Sequence, residues 1–174
     1  MHRNPLGLEG FNRLTDRQRM NLLFGVCSST IWARRVLAGT PFRDVDALLD
    51  RADRVLAELP DAEIDAALDG HPRIGAKVDN ASSAREQAAV STAGDDVKAQ
   101  LAARNLEYDT KFGYVYLVCA SGRSAEELLA ILVDRLDNDP DTERRVMRSE
   151  LSKINRLRLE RLLAEPAPVP GSDT

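Results

Sequence analysis

The stretch VDALLDRADRVLAELP, residues 45–60, sets Leu48, Leu49, Ala52, Val55, Leu56 and Leu59 at steps of three and four, with acidic and basic residues between them. That rhythm gathers the apolar side chains onto one stripe of an α-helix. The two-residue period of a strand would scatter them over both faces. Pro60 has no N–H to continue the ladder and stops the helix.

The same pattern extends on both sides. Upstream, Thr15-Asp-Arg-Gln18 has the form of a capping box, and two helices follow, passing Trp32, Val36 and Leu37 before Gly39-Thr-Pro41. Downstream, Ile64, Ala67 and Leu68 mark a short helix ending at Gly70. His71 to Ser82 holds Pro, Gly, Asp and Asn without periodicity and reads as a loop, after which Ser83 caps a helix to about Thr92. A helix after Gly94 passes Leu101 and Leu106 and stops near Phe112–Gly113. Ser124-Ala-Glu-Glu127 caps another, with Leu128, Leu129, Leu132 and Leu136 inward. Asp139-Pro140 opens the last, to about Leu163, with Ile154, Leu157 and Leu162 as its inward stripe. The one strand-like run, YVYLVCA (114–120), cannot build a sheet alone and is expected to be an extended connector. The expectation is an all-α protein, a compact single-domain bundle of seven to eight irregular helices over residues 1–165. A disordered Pro-rich tail is expected at 166–174.

A length of 174 residues suits one core. The formal charge of -4 and pI near 5.3 argue against a generally basic nucleic-acid binder, so an anionic ligand must be met by specific groups. Cys27 and Cys119 form no CxxC and stand near no histidine, which suggests neither a zinc site nor a disulfide framework and makes a reducing compartment the default. No apolar run reaches membrane-span length, and MHRNPLGLEG lacks the apolar core of a signal peptide, so a cytoplasmic location is expected.

One of two histidines, His71, stands between Gly70 and Pro72. An imidazole titrates near neutrality, and the proline disfavours helical backbone at His71, which would hold the ring at a loop edge as an acid/base. Equally, His71 could do no more than complement the dipole of the helix ending at Gly70. Ser83-x-x-Glu86 fits a capping box with no further role, or a helix N-terminus opening onto an anion. Arg158 borders the inward stripe of the last helix while Arg156 points elsewhere, and most such arginines are solvated. Trp32 and Cys27 read as core.

Taken in order, the pieces Cys27 to Ala33, His71-Pro-Arg-Ile-Gly75, Ser83-Ala-Arg-Glu-Gln87, Asn105-Leu-Glu-Tyr108, Lys111-Phe-Gly-Tyr114, Leu117-Val-Cys-Ala120, Gly122-Arg-Ser124 and Lys153-Ile154…Arg158-Leu159 resemble the 2-oxo-4-hydroxy-4-carboxy-5-ureidoimidazoline (OHCU) decarboxylase family of urate breakdown. The Cys27-Ser28-Ser29 stretch departs from that family in lacking a glycine. The resemblance implies an all-helical lyase, often a homodimer, that uses no cofactor or metal and converts the small molecule OHCU to (S)-allantoin. By motif position it implies His71 as the acid/base with Glu86 beside it. Pro72, Ser83, Gln87 and Arg158 would bind substrate, and Tyr116, Leu117, Val118, Cys119 and Ala120 would line the pocket largely through backbone, with Val118 the amide donor. Two other readings fit the same residues: a hydrolase or isomerase on a related ureido-imidazole ring, and a non-catalytic helical partner of the pathway's enzymes.

Overall fold

The computed structural model describes residues 4–69 and 88–167. The described residues form nine helices and no strand: α1 Gly7–Arg13, α2 Asp16–Val26, α3 Thr30–Leu37, α4 Val45–Glu58, α5 Asp61–Leu68, α6 Ala88–Ser91, α7 Asp95–Phe112, α8 Ala125–Leu136 and α9 Pro140–Ala164. The all-α expectation holds. Eight of the nine fall where periodicity and caps place them. The ninth, α1, carries two glycines and no side-chain cap, so local sequence hardly favours it. It is held by tertiary contacts instead, with Phe11 fully buried and the Leu6 N–H donating to the Glu165 carbonyl at 2.7 Å.

Backbone contacts divide the chain into two units, Met1–Glu63 with Asn155–Thr174, and Ile64–Ile154. In the first unit α2 packs on α3 and α3 on α4. Thr15 and Gln18 complete the reciprocal capping box of α2, Ser29 caps α3 and Asp44 caps α4. Leu48, Leu49, Ala52, Val55, Leu56 and Leu59 are all buried, as their spacing requires. Trp32 is fully buried and its indole N–H donates to the Ala52 carbonyl at 3.2 Å, which satisfies the ring's one polar atom inside the core. Arg156 donates to Asp53 at 2.6 Å and Asp50 at 3.2 Å and so ties α9 to the polar edge of α4.

In the second unit α7 packs on α8 around Leu101, Tyr108, Leu128 and Leu132. Gly113 ends α7 in the left-handed region, φ 81°, which a Cβ would disfavour. Lys111 donates to the Leu136 carbonyl at the end of α8. Ser124 caps α8 and Asp139 caps α9; the Thr142 backbone N–H and hydroxyl both donate to Asp139 and hold its carboxyl below the ordinary range.

The inward stripe of α9 differs from expectation. Ile154 is buried as expected, but Leu157 and Leu162 are only half-buried, and a second buried series runs Met147, Leu151, Asn155, Leu159 and Leu163 at steps of four. A buried asparagine in the middle of that series hides it from an apolar pattern.

Candidate active site

His71, Pro72, Ser83, Glu86 and Gln87 lie outside the described residues. Of the sequence-predicted site, the structure describes Tyr116–Ala120 in the second unit and Arg158 in the first.

Residues 115–120 carry neither helix nor strand, the connector the sequence leads one to expect. Tyr116, Val118 and Ala120 enter the apolar core with Tyr108, Leu128 and Leu132. Leu117 is also buried and Cys119 half-buried. The Tyr116 hydroxyl donates to the Leu128 carbonyl of α8 at 3.0 Å, and burial pushes its phenol pKa well up. At the far end the Arg123 N–H donates to the Ala120 carbonyl at 3.1 Å, next to Gly122 at φ 76°.

Behind this segment lies a charged cluster that apolar periodicity passes over. Arg135 is 5% exposed and Glu143 fully buried, and the two are paired. Arg135 Nε donates to Glu143 Oε1 at 2.8 Å, and Arg135 Nη1 donates to the Leu117 carbonyl at 2.7 Å. The Tyr108 hydroxyl donates to the same carboxylate, and Asn138 Nδ2 to its other oxygen at 3.0 Å. The guanidinium stacks 4.9 Å from the Tyr116 ring centroid and 5.8 Å from that of Tyr108. Burial and then the Glu143 bond drive the Tyr108 phenol far upward, so it stays a donor. Burial alone would lower the Arg135 pKa, but the Glu143 carboxylate raises it, so the guanidinium keeps its charge. A signal for the cluster exists in the sequence: Arg135 continues the Leu128–Leu132 stripe, and Glu143 stands four before Met147. A charge on an inward stripe implies a buried partner.

Arg158 is half-buried and its Nη1 donates to the Val26 carbonyl at 3.0 Å, on the last residue of α2. A cation at a helix C-terminus is favourably placed, and the bond fixes the guanidinium. Cys27 beside it is fully buried. Burial pushes its thiol up to about 11, while the Asn155 amide and the Arg158 charge pull it partly back. Cys27 is therefore a core residue with almost no thiolate at neutral pH. Iodoacetamide at pH 8 is expected to label Cys119 in the folded protein and Cys27 only after denaturation. Between pH 9, where an unfolded thiol titrates, and about pH 11, the folded state keeps the proton that the unfolded chain releases. Stability therefore falls as pH rises through that window, by roughly 2–3 kcal/mol. Alkaline titration of unfolding, compared with Cys27→Ala, checks this; equal labelling of both cysteines in the native protein would show Cys27 to be accessible.

A cavity of about 390 Å³ in the second unit is lined by Asp65, Leu68, Asp69, Asp109, Gly113, Tyr114 and Val115. Arg144 neutralises Asp65 at 2.6 Å and covers the Tyr114 ring at 4.5 Å. No group of three or more His, Cys, Asp or Glu side chains among the described residues could hold a metal ion. None of the described helices is long and apolar enough to cross a membrane.

Comparison with known proteins gives a consistent picture. A family model described as OHCU decarboxylase matches residues 12–160. The uric acid degradation bifunctional protein TTL of Arabidopsis thaliana is 34% identical over 88 residues, 51% of this chain and 27% of that protein. The 2-oxo-4-hydroxy-4-carboxy-5-ureidoimidazoline decarboxylase of Amia calva is 38% identical over 63 residues, 36% of each. The matched stretches thus span about a third or less of these relatives' length. A crystal structure of OHCU decarboxylase in the presence of (S)-allantoin superposes with a TM-score of 0.75 at 25% identity, covering 87% of this chain and 100% of that one.

Proposed function

The chain belongs to the OHCU decarboxylase family, and on that premise we propose that it converts OHCU to (S)-allantoin in urate breakdown without a cofactor. The observation that carries the proposal is the family match over residues 12–160. That span contains every residue of the implied site, from His71 to Arg158. The likeness to an OHCU decarboxylase crystallised with (S)-allantoin supports the same ligand class.

The chemistry suits these side chains. The substrate carries a carboxylate on a ring carbon next to a C=N bond. When the carbon–carboxylate bond breaks, CO2 leaves and the electron pair spreads into the ring as an enol-like species, so the ring itself is the electron sink. Two tasks remain for the protein: stabilising the developing charge, and delivering one proton to one face of a planar ring. In our reading the His71 imidazolium delivers the proton. Glu86 binds the substrate hydroxyl or ureido N–H and favours the charged imidazole, while Ser83 and Gln87 hold the polar rim. An arginine clamped on the departing carboxylate would stabilise ground and transition states alike and gain little rate. Arg158 therefore takes the ring or ureido carbonyls, and Pro72 and the backbone of Tyr116–Ala120 complete the wall. The same reading makes the working form a cytoplasmic homodimer.

The test is direct. OHCU made fresh by oxidation and ring opening of urate should release CO2 faster with the protein than without it, and the allantoin formed should be optically active. An unaccelerated decay, or racemic product under protein-dominated turnover, overturns the proposal.

A further inference from the structure

We propose that Arg135 is a positioning residue for ligand binding: by drawing the Leu117 carbonyl into the buried Glu143–Tyr108 cluster it turns the Val118 N–H away from that cluster as a hydrogen-bond donor to the ligand. The inference rests on the reading of residues 116–120 as the backbone wall of the substrate pocket.

The geometric step follows from peptide planarity. The Leu117–Val118 bond is trans, since among the described residues only Thr40–Pro41 is cis, and in a trans peptide unit the C=O and the N–H point in opposite directions. Fixing the Leu117 oxygen on Arg135 Nη1 at 2.7 Å therefore fixes where the Val118 hydrogen points, which is away from the cluster. That oxygen cannot drift, because the guanidinium holding it is anchored along its other edge by Glu143. Glu143 is itself held by Tyr108 and by Asn138 at 3.0 Å. One residue earlier, the Tyr116 hydroxyl on Leu128 and its ring under Arg135 stop the segment from rotating.

A second observation points to a ligand. Val118 is 3% exposed, yet its N–H makes no hydrogen bond among the described residues. Buried backbone donors are rarely left orphaned, and leaving one unpaired is costly. Here the donor has no partner among the described residues, on one side of a peptide whose other side is clamped by a charged, fully engaged cluster. That arrangement presents a rigid amide to an acceptor, the preorganised form in which a donor stabilises charge developing on a carbonyl or ring nitrogen. Only an arginine suits the inner position. Its planar fork satisfies a carboxylate along one edge and a carbonyl with the remaining nitrogen, whereas a lysine ammonium is a single point charge on a flexible stem.

The test uses the full chain with Arg135→Lys and, separately, Glu143→Gln, which keeps an acceptor oxygen while removing the charge. Turnover of fresh OHCU is measured well below the melting temperature, and ¹H–¹⁵N spectra are recorded with and without (S)-allantoin. In the wild type the Val118 amide resonance should shift on titration with (S)-allantoin. Arg135→Lys should lower kcat ten- to hundredfold with little change in KM and abolish the Val118 shift, and Glu143→Gln should give a smaller loss of both. A purely structural Arg135 predicts a lower melting temperature with kcat within threefold and the Val118 shift intact, which overturns the inference. A Val118 resonance unmoved by saturating (S)-allantoin in the wild type overturns it too, even if Arg135→Lys fails to fold. Failure of the functional reading is separate: there the wild type itself does not accelerate CO2 release, while the titration still reads the amide.

Discussion

His71→Asn is expected to remove the acceleration of OHCU decarboxylation, by about 10²- to 10⁴-fold, while leaving the helical circular dichroism unchanged. Asparagine approximates imidazole in size and polarity but holds no transferable proton near neutrality, so the substitution isolates acid catalysis from binding. Because the proposed donor is the imidazolium, wild-type kcat should fall as rising pH removes the His71 proton. The residual activity carries a stereochemical signature. Once the fixed donor is gone, solvent can protonate the planar intermediate from either face, and the optical purity of the allantoin should drop together with the rate. A loss under tenfold, or undiminished optical purity, would remove His71 from the reaction and leave it as a cation at the end of a helix.

The fold was legible where local chemistry and tertiary need coincide. α4 is the clearest instance: its cap Asp44, its six buried apolar positions and its stop at Pro60 all stand in the sequence. The connector at 115–120 was legible by elimination, since an apolar strand-like run without a partner strand has to be buried by helices. What escaped is set by contacts distant in the chain. α1 forms against a propensity lowered by Gly7 and Gly10, because Phe11 and Leu6 find a core. The α9 stripe is legible at Ile154 but not at Leu159 and Leu163, because Asn155 interrupts its apolar code. The candidate site divides along the same line. Motif order, through the family resemblance, makes His71, Glu86 and Arg158 the proposed site residues, but Arg135, Glu143 and Tyr108 look like ordinary surface charge and aromatic core until α7, α8 and α9 bring them together.

That cluster also governs the largest expected effect on stability. Glu143→Leu should cost about 3–5 kcal/mol, because it leaves the Arg135 guanidinium, 5% exposed, without its counter-charge where little water reaches it. For a chain of this length such a loss lowers the melting temperature by roughly 6–20 °C, and it is a large share of a typical total stability of about 5–15 kcal/mol. The double variant Arg135→Met/Glu143→Leu removes both charges and separates two explanations. If the cost of the single variant is the stranded charge, the double variant recovers part of it, since buried ion pairs are often replaceable by apolar residues of similar volume. Recovery should be incomplete, because the Tyr108 hydroxyl, Asn138 Nδ2 and the Leu117 carbonyl all lose partners, and the two that are buried, on Tyr108 and Leu117, cost about 1–3 kcal/mol each. A double variant as stable as the wild type would show that those three groups find other partners, and that the pair sets the direction of the Leu117–Val118 peptide without adding to stability. A single variant within 1 kcal/mol of the wild type would mean that the guanidinium escapes to solvent, in which case it could not hold the Leu117 carbonyl either.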